Sequence, residues 1–254
     1  MGSSAARDGR GHVDILSAAL ITPTPFFVPF GPDHIAVLLG MGLALASLVW
    51  RRRQLVGRDD TRLRREVAIF LLVNEALSWI VGLAQGSGRV PLQLCDLALL
   101  LTVGSLLRPT RAVSELAYFW GLAGSVQAIL TPDLVVPFPG YWWLKFFTTH
   151  CGIVLGVVYL ALTGRTRPTQ RSVWIVWGWT NVYAMVVGCL NGIYGTNYGY
   201  LAHKPMHPSL LDYFGPWPYY IGVSDLMALA LFEWCYLLCA WTRVAPRSHR
   251  RQPA

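Results

Sequence analysis

The sequence has little charge for its length. Only 13% of its 254 residues are charged, whereas soluble domains average roughly 25%. Lysine is almost absent, because 19 of the 21 basic residues are arginine. Apolar residues make up 54% of the chain. This composition argues against a soluble domain and predicts an all-α, polytopic membrane protein.

Several signatures of catalysis and ligand binding are also missing. The chain has no glycine-rich phosphate loop, no HExxH motif and no GxSxG motif. His203 and His207 have the spacing of a helical metal site, but Pro205 lies between them and breaks a helix. The net charge of +8 does not indicate nucleic-acid binding, because the arginines lie between apolar runs. We therefore predict no metal, no cofactor and no nucleic-acid partner.

The chain instead contains seven apolar segments. At 1.5 Å per residue, each is long enough to cross most or all of a ~30 Å hydrocarbon core. The segments are 35–50, 66–84, 91–107, 112–130, 141–163, 173–194 and 217–241. They predict a seven-helix membrane domain at 34–241, between an extracytoplasmic segment at 1–33 and a basic tail at 242–254.

The arginines predict the orientation of these segments. Sixteen of them lie in alternate connections and in the tail, at 51–65, 108–111, 164–171 and after 241. The opposite side has only five basic residues. By the positive-inside rule, the N-terminus is expected outside and the C-terminus in the cytoplasm of a plasma membrane.

Polar residues within the segments concentrate in the outer half of the predicted membrane domain. A set of structural polar residues would not be expected to share one leaflet, and buried polar groups in a membrane need partners. The residues near the outer ends are Cys95, Gln127, His150, Asn191 and Asp225, with Glu75 nearer the midplane.

Cys95 differs from the other four cysteines. All five lie inside apolar stretches, which argues against a disulfide framework. Cys151, Cys189, Cys235 and Cys239 are expected to act as small packing residues. Cys95 has polar neighbours, although helical spacing puts Gln93 and Asp96 on one face and Cys95 on another.

His150 is the predicted partner of Cys95. An imidazole within hydrogen-bond reach can take the thiol proton, and the resulting thiolate attacks esters and thioesters. The face that carries His150 is otherwise apolar and aromatic, as an acyl-chain groove requires; it holds Trp143, Phe146, Phe147, Val154 and Val157.

Supporting groups can be named only as candidates. The acid that orients His150 is Asp225, Asp96 or Glu75. Gln93, Asn191 and tyrosine hydroxyls are candidate donors to a developing oxyanion. A packing histidine or a proton-relay member is the alternative for His150, and an interhelical polar clamp is the alternative for Asn74 and Glu75.

The connection at 195–216 is rich in tyrosine, histidine, asparagine and proline. This composition favours turns and suits a lid at the level of the lipid headgroups. An aromatic interfacial anchor is the alternative. The predicted lid residues are Asn197, Tyr198, Lys204 and Asp212.

Five short stretches resemble one known family. LQLCDLALL, TPDL, FFTTH, NYGYLAHKP and SLLDYFGPWPYY look like YwaF-type bacterial integral membrane proteins, which are distantly similar to animal transmembrane protein 164. The resemblance covers roughly residues 30–241. The animal relative is regarded as a cysteine-dependent acyltransferase acting on phospholipids. The resemblance implies that Cys95 is the nucleophile and His150 the essential histidine.

Three classes of function follow from these observations. The first is a lipid acyl transferase or lipid esterase that uses Cys95 and His150 at the outer leaflet, with membrane lipids as its partners. The second is a proton-coupled transporter, with Glu75, Asp96, Asp225 and His150 along a path. The third is a non-catalytic protein that binds lipid, senses it or assists assembly.

Overall fold

The computed structural model describes residues 26–88, 90–205 and 209–242. Within these residues the chain forms seven α-helices and two short 3-10 helices, and no strand, so the all-α prediction is confirmed. Most of the predicted segments 1–33 and 242–254 lie outside the described residues. The α-helices are α1 Pro32–Leu55, α2 Thr61–Ala84, α3 Leu94–Leu107, α4 Arg111–Leu130, α5 Tyr141–Leu162, α6 Gln170–Tyr194 and α7 Tyr219–Thr242, and the 3-10 helices are Tyr198–Tyr200 and Leu210–Phe214.

Five of the described helices are long and apolar enough to cross a membrane, namely α1, α2, α5, α6 and α7. Their outward faces expose large apolar side chains, such as Leu43, Leu83 and Met185, each at least 65% exposed. Contiguous apolar surface of this extent is unfavourable in water and is covered by lipid in a membrane protein. The protein is therefore an integral membrane protein.

Helices α3 and α4 lie in the middle of the packing. Their buried residues join those of α2 and α5 in one apolar core, which includes Leu71, Leu99, Phe119 and Ile153. Helix α3 has only 14 residues, so it is roughly 21 Å long. This short helix begins and ends within the length of its neighbours, and its first turn carries Cys95.

One end of the packing is held by an ionic cluster. The carboxylate of Asp60, just before α2, accepts hydrogen bonds from Arg64 Nε at 2.9 Å, from Arg165 Nη2 at 2.7 Å and from the hydroxyl of Tyr159. Arg64 also donates to the carbonyl oxygen of Leu106 near the end of α3. We call Asp60, Arg64, Tyr159 and Arg165 the Asp60 cluster. It places the C-terminal ends of α3 and α5 together, so these two helices run in the same direction.

A close contact sets the register of α3 against α5. A Cβ atom at Gly156 would lie 3.0 Å from the Cγ2 atom of Thr102, a distance that is tight for two carbon atoms. Only glycine lets the helices approach this closely. Helix α2 runs antiparallel to α5, with Asn74 bonded to Thr149.

Candidate functional site

Cys95 is the second residue of α3. The helix begins at Leu94, three residues later than the sequence predicted, because a turn joins the N–H of Leu92 to the carbonyl of Val90 and Gln93 is extended. The carboxylate of Asp96 accepts from the backbone N–H of Gln93 at 3.1 Å. Asp96 therefore caps the helix start. Cys95 lies in the first turn of α3, where the helix dipole favours a negative charge.

Cys95 and His150 lie at the same level on neighbouring parallel helices. Cys95 precedes Thr102 by seven residues, and His150 precedes Gly156 by six. Since Thr102 packs on Gly156, both side chains are displaced toward the helix starts, by about 10 Å and 9 Å respectively. The end of the helical packing that carries Cys95 and His150 lies opposite the Asp60 cluster, and we call it the Cys95 end.

His150 is buried, and a backbone carbonyl orients it. Its Nδ1 atom lies 2.8 Å from the carbonyl oxygen of Phe146. A carbonyl only accepts, so Nδ1 carries the proton and the lone pair of the neutral ring is on Nε2. This is the tautomer that a general base needs. The acceptor in the structure is therefore Phe146, and not one of the three acids considered from the sequence.

Lys145 and Glu75 are the charged groups that interact electrostatically with His150. Lys145 Nζ lies 3.0 Å from Glu75 Oε2, and their side chains are 12% and 13% exposed. Asn74 donates to Thr149 at 3.0 Å from the same turn of α2. The clamp hypothesis for Asn74 and Glu75 thus has direct geometric support.

Lys145 was not predicted as a site residue, because it was assigned only as one of the five basic residues on the outer side. The sequence nevertheless contained a signal that Lys145 has a partner. Lys145 is one of two lysines in the chain and lies inside an apolar segment, where a buried cation requires a carboxylate partner. Glu75 is such a carboxylate in another segment.

An open cavity of about 400 Å³ lies between α2, α5 and the start of α3. The Glu75–Lys145 pair and Asp96 contribute its charged groups, and Trp79 and Trp142 contribute aromatic wall. The cavity brings two of the predicted acids together and reaches the residue next to Cys95.

The aromatic face of α5 is packed, in contrast to the open groove that was expected. Phe147 lies 6.3 Å from Phe27 and 5.7 Å from His34, measured between ring centroids. Trp143 is buried in the same cluster. Phe27 and the start of α1 thus cover this face of α5, which was predicted to line an acyl-chain groove.

Asn191 and Asp225 form hydrogen bonds with residues other than His150. Asn191 is buried and bonds both the N–H and the carbonyl of Tyr198, each at 2.9 Å, so it shapes the following loop. Asp225 on α7 accepts from Asn181 on α6 at 3.1 Å. The structure therefore gives neither residue a contact with His150.

The described part of the 195–216 connection contacts the start of α3, at the Cys95 end. Asn197 accepts from the backbone N–H groups of Ala202 and His203 and donates to the carbonyl of His203, which closes a turn. Gly199, next to Tyr198, donates to the side-chain oxygen of Gln93 at 2.8 Å. This bond ties the loop to the start of α3.

The other two lid residues face each other loosely. Lys204 Nζ is 4.0 Å from Asp212 Oδ1 and lies 5.6 Å from the ring centroid of Tyr220.

Among the described residues, no group of three or more histidine, cysteine or acidic side chains could hold a metal ion.

The helical fold and the residues at the Cys95 end define the class of this protein. The protein is an all-helical membrane protein with a cysteine, a histidine and an ion pair gathered at one end of its helices. The family model of the TMEM164 family matches residues 29–236, and the chain belongs to that family. The finer YwaF-type assignment stays a prediction. No curated protein and no solved structure matches the chain.

Proposed function

We propose that the protein is a lipid acyl transferase or lipid esterase in which Cys95 is the nucleophile and His150 the general base. One observation carries the proposal. His150 Nδ1 is bonded to the carbonyl of Phe146, which leaves the Nε2 lone pair available at the level of Cys95. The resemblance to animal transmembrane protein 164 implies the same pair of residues, and the chain belongs to the TMEM164 family.

The reaction has two steps. The sulfur of Cys95 attacks the carbonyl carbon of a lipid ester while His150 Nε2 takes the thiol proton. The ester C–O bond breaks, the alcohol leaves with the proton from His150, and a thioester remains on Cys95. A lipid hydroxyl or water then attacks the thioester carbonyl while His150 Nε2 takes its proton. The C–S bond breaks, the acyl group leaves as an ester or a free acid, and the Cys95 sulfur regains the proton from His150. The attacking group decides between transfer and hydrolysis.

We further propose that all seven helices cross the plasma membrane, with the Cys95 end outside. Exposed arginines support this orientation, because they gather at the Asp60 end; they include Arg53, Arg62, Arg65, Arg108 and Arg111. A helix as short as α3 would then hold Cys95 below the outer membrane surface, where acyl esters lie.

The experiment is to trap the acyl enzyme. Purified protein is incubated with a phospholipid and analysed by intact mass spectrometry, and neutral hydroxylamine then tests for a thioester. The wild type is expected to gain one acyl group. His150→Gln is expected to slow acylation by about 10²–10⁴-fold, the usual contribution of a general base.

Cys189→Ala is the matched control, because Cys189 is exposed on α6 and the mechanism gives it no role. It should acylate like the wild type, whereas Cys95→Ala should gain nothing. Acylation that persists in Cys95→Ala would sink the proposal.

A transporter is the second candidate, and one observation favours it. The Glu75–Lys145 pair lines an open cavity inside the helical packing, as a coupling site would. The discriminating result is pH-driven uptake into proteoliposomes that Glu75→Gln abolishes and Cys95→Ala leaves intact.

A further inference from the structure

The start of α3 is held by two hydrogen bonds that come from distant parts of the chain. The hydroxyl of Tyr183, on α6, donates to the carbonyl oxygen of Leu92 at 2.8 Å. The side-chain oxygen of Gln93 accepts from the backbone N–H of Gly199 at 2.8 Å. Both bonds act on the two residues immediately before the helix, so they fix where its first turn begins.

Gly199 joins these two bonds in one place. Its φ of +66° suits glycine, and a Cβ atom there would lie 3.1 Å from the hydroxyl oxygen of Tyr183. The loop backbone therefore rests directly on the hydroxyl that holds Leu92. Helix α6, the loop at Gly199 and the residues before α3 therefore meet at the hydroxyl oxygen of Tyr183.

The parts of this clamp are themselves fixed. The ring of Tyr183 packs against Trp120, with centroids 5.9 Å apart. Asn191 holds both backbone groups of Tyr198, next to Gly199. A clamp with ordered parts transmits its geometry to the helix that it holds.

Tyr183 also lies within electrostatic range of Cys95 and Asp96. Cys95 is the second residue of α3, so the direction of its side chain and the alignment of nearby N–H groups depend on the first turn. Those aligned N–H groups favour the thiolate form of a cysteine. A loosened first turn would make the thiolate less favourable and the thiol less well aimed.

We propose that Tyr183 is a positioning residue for Cys95, acting with Gln93 to clamp the loop at Gly199 onto the first turn of α3. This inference rests on the proposed function, because it assigns Tyr183 a role in the reaction of Cys95. Tyr183 was not among the predicted site residues, because nothing in the local sequence links it to Leu92, 91 positions earlier.

The test uses two substitutions that keep the charge of the protein. Tyr183→Phe removes one oxygen atom, and Gln93→Met removes the acceptor for Gly199. The rate of Cys95 alkylation by N-ethylmaleimide is measured against pH by peptide mass spectrometry. Both variants should move the profile to higher pH by about 0.5–1 unit and slow alkylation near neutral pH by about 3–10-fold. Cys189, on the same molecule, should react at an unchanged rate.

Tyr194→Phe is the matched control, because Tyr194 is a 73% exposed tyrosine on the same helix. A merely structural Tyr183 would lower the melting temperature and leave the pH profile of Cys95 as in the wild type, and that result would overturn the inference. Failure of the proposed function is a separate result. It would appear as no acyl thioester on the wild type, whatever the alkylation profiles show.

Discussion

The Asp60 cluster and the Cys95 end hold the same three helices, α2, α3 and α5, but they use charge differently. Asp60 has three donors, and Arg64 reaches a backbone carbonyl as well. At the Cys95 end, Glu75 and Lys145 form an ion pair on the wall of an open cavity.

This difference separates structure from candidate chemistry. A carboxylate that already accepts three hydrogen bonds has little capacity left for a substrate, and its main role is to join helix ends. In the proposed mechanism, the reactive groups are the Nε2 lone pair of His150 and the thiol of Cys95 at the helix start. Substitutions at the Asp60 cluster should therefore change stability, and substitutions of Cys95 and His150 should change chemistry.

The largest effect is expected from Asp60→Ala. This change leaves Arg64 and Arg165 as partly buried cations without their carboxylate, and breaking such a pair typically costs about 3–5 kcal/mol. For a chain of this size, the melting temperature should fall by roughly 10 °C. Differential scanning fluorimetry in detergent measures it.

The neighbouring Asp59 is the control for this comparison. Its carboxylate is exposed and accepts from the backbone N–H of Thr61. Asp59→Ala should melt close to the wild type. Equal losses in the two variants would show that the cluster does not hold the helix ends.

A smaller loss is expected from Lys145→Met. It leaves Glu75 charged and unpaired beside a cavity that admits water, so the cost should be about 1–3 kcal/mol. The double variant Glu75→Leu/Lys145→Met removes both charges and should recover most of the loss. A double variant as unstable as the sum of the two single variants, Lys145→Met and Glu75→Leu, would contradict the pairing. The same melting assay gives all three values.

Hydropathy predicted most of the helices, and it drew attention to some of the candidate site residues within them. The seven described α-helices coincide with the seven apolar segments, and five of them are long and apolar enough to cross a membrane. The start of α3 was misplaced by three residues, since apolarity continues from Pro91 while the backbone turns at Val90–Leu92. The local sequence gives no strong signal for that turn.

The partners of the site residues could not be predicted, because they depend on which helices are neighbours. The carbonyl of Phe146, which orients His150, carries no sequence signal. The aromatic face of α5 was expected to be an open groove, but Phe27 and His34 cover it. Such contacts are set by tertiary packing and not by helical spacing.

A further effect should be seen on acidification. Burial by itself would raise the pKa of Asp60, but the hydrogen bonds from Tyr159 and Arg64 and the charge of Arg165 hold it below the usual value. Its stabilising contribution is thus complete above the unfolded pKa of about 3.9 and is lost as pH falls through the lower folded pKa.

Melting temperatures of the wild type and Asp60→Asn, measured between pH 6 and pH 3, test this linkage. The wild type should be more stable at pH 6, and its advantage should shrink toward pH 3 because the amide in the variant has no proton to gain. An advantage that stays constant over this range would contradict the pKa assignment of Asp60.

The smallest effect is expected from Asp225→Asn, and it bears most directly on the Cys95 end. Asp225 bonds the exposed Asn181 on the far pair of helices, so the stability cost should be about 1 kcal/mol or less. Acylation of Cys95 should stay within about twofold of the wild type, because His150 is oriented by the carbonyl of Phe146. A loss of about 100-fold or more would instead identify Asp225 as the orienting acid. In that case α7 would have to approach His150 in the active state, and the site would not be confined to α2, α3 and α5.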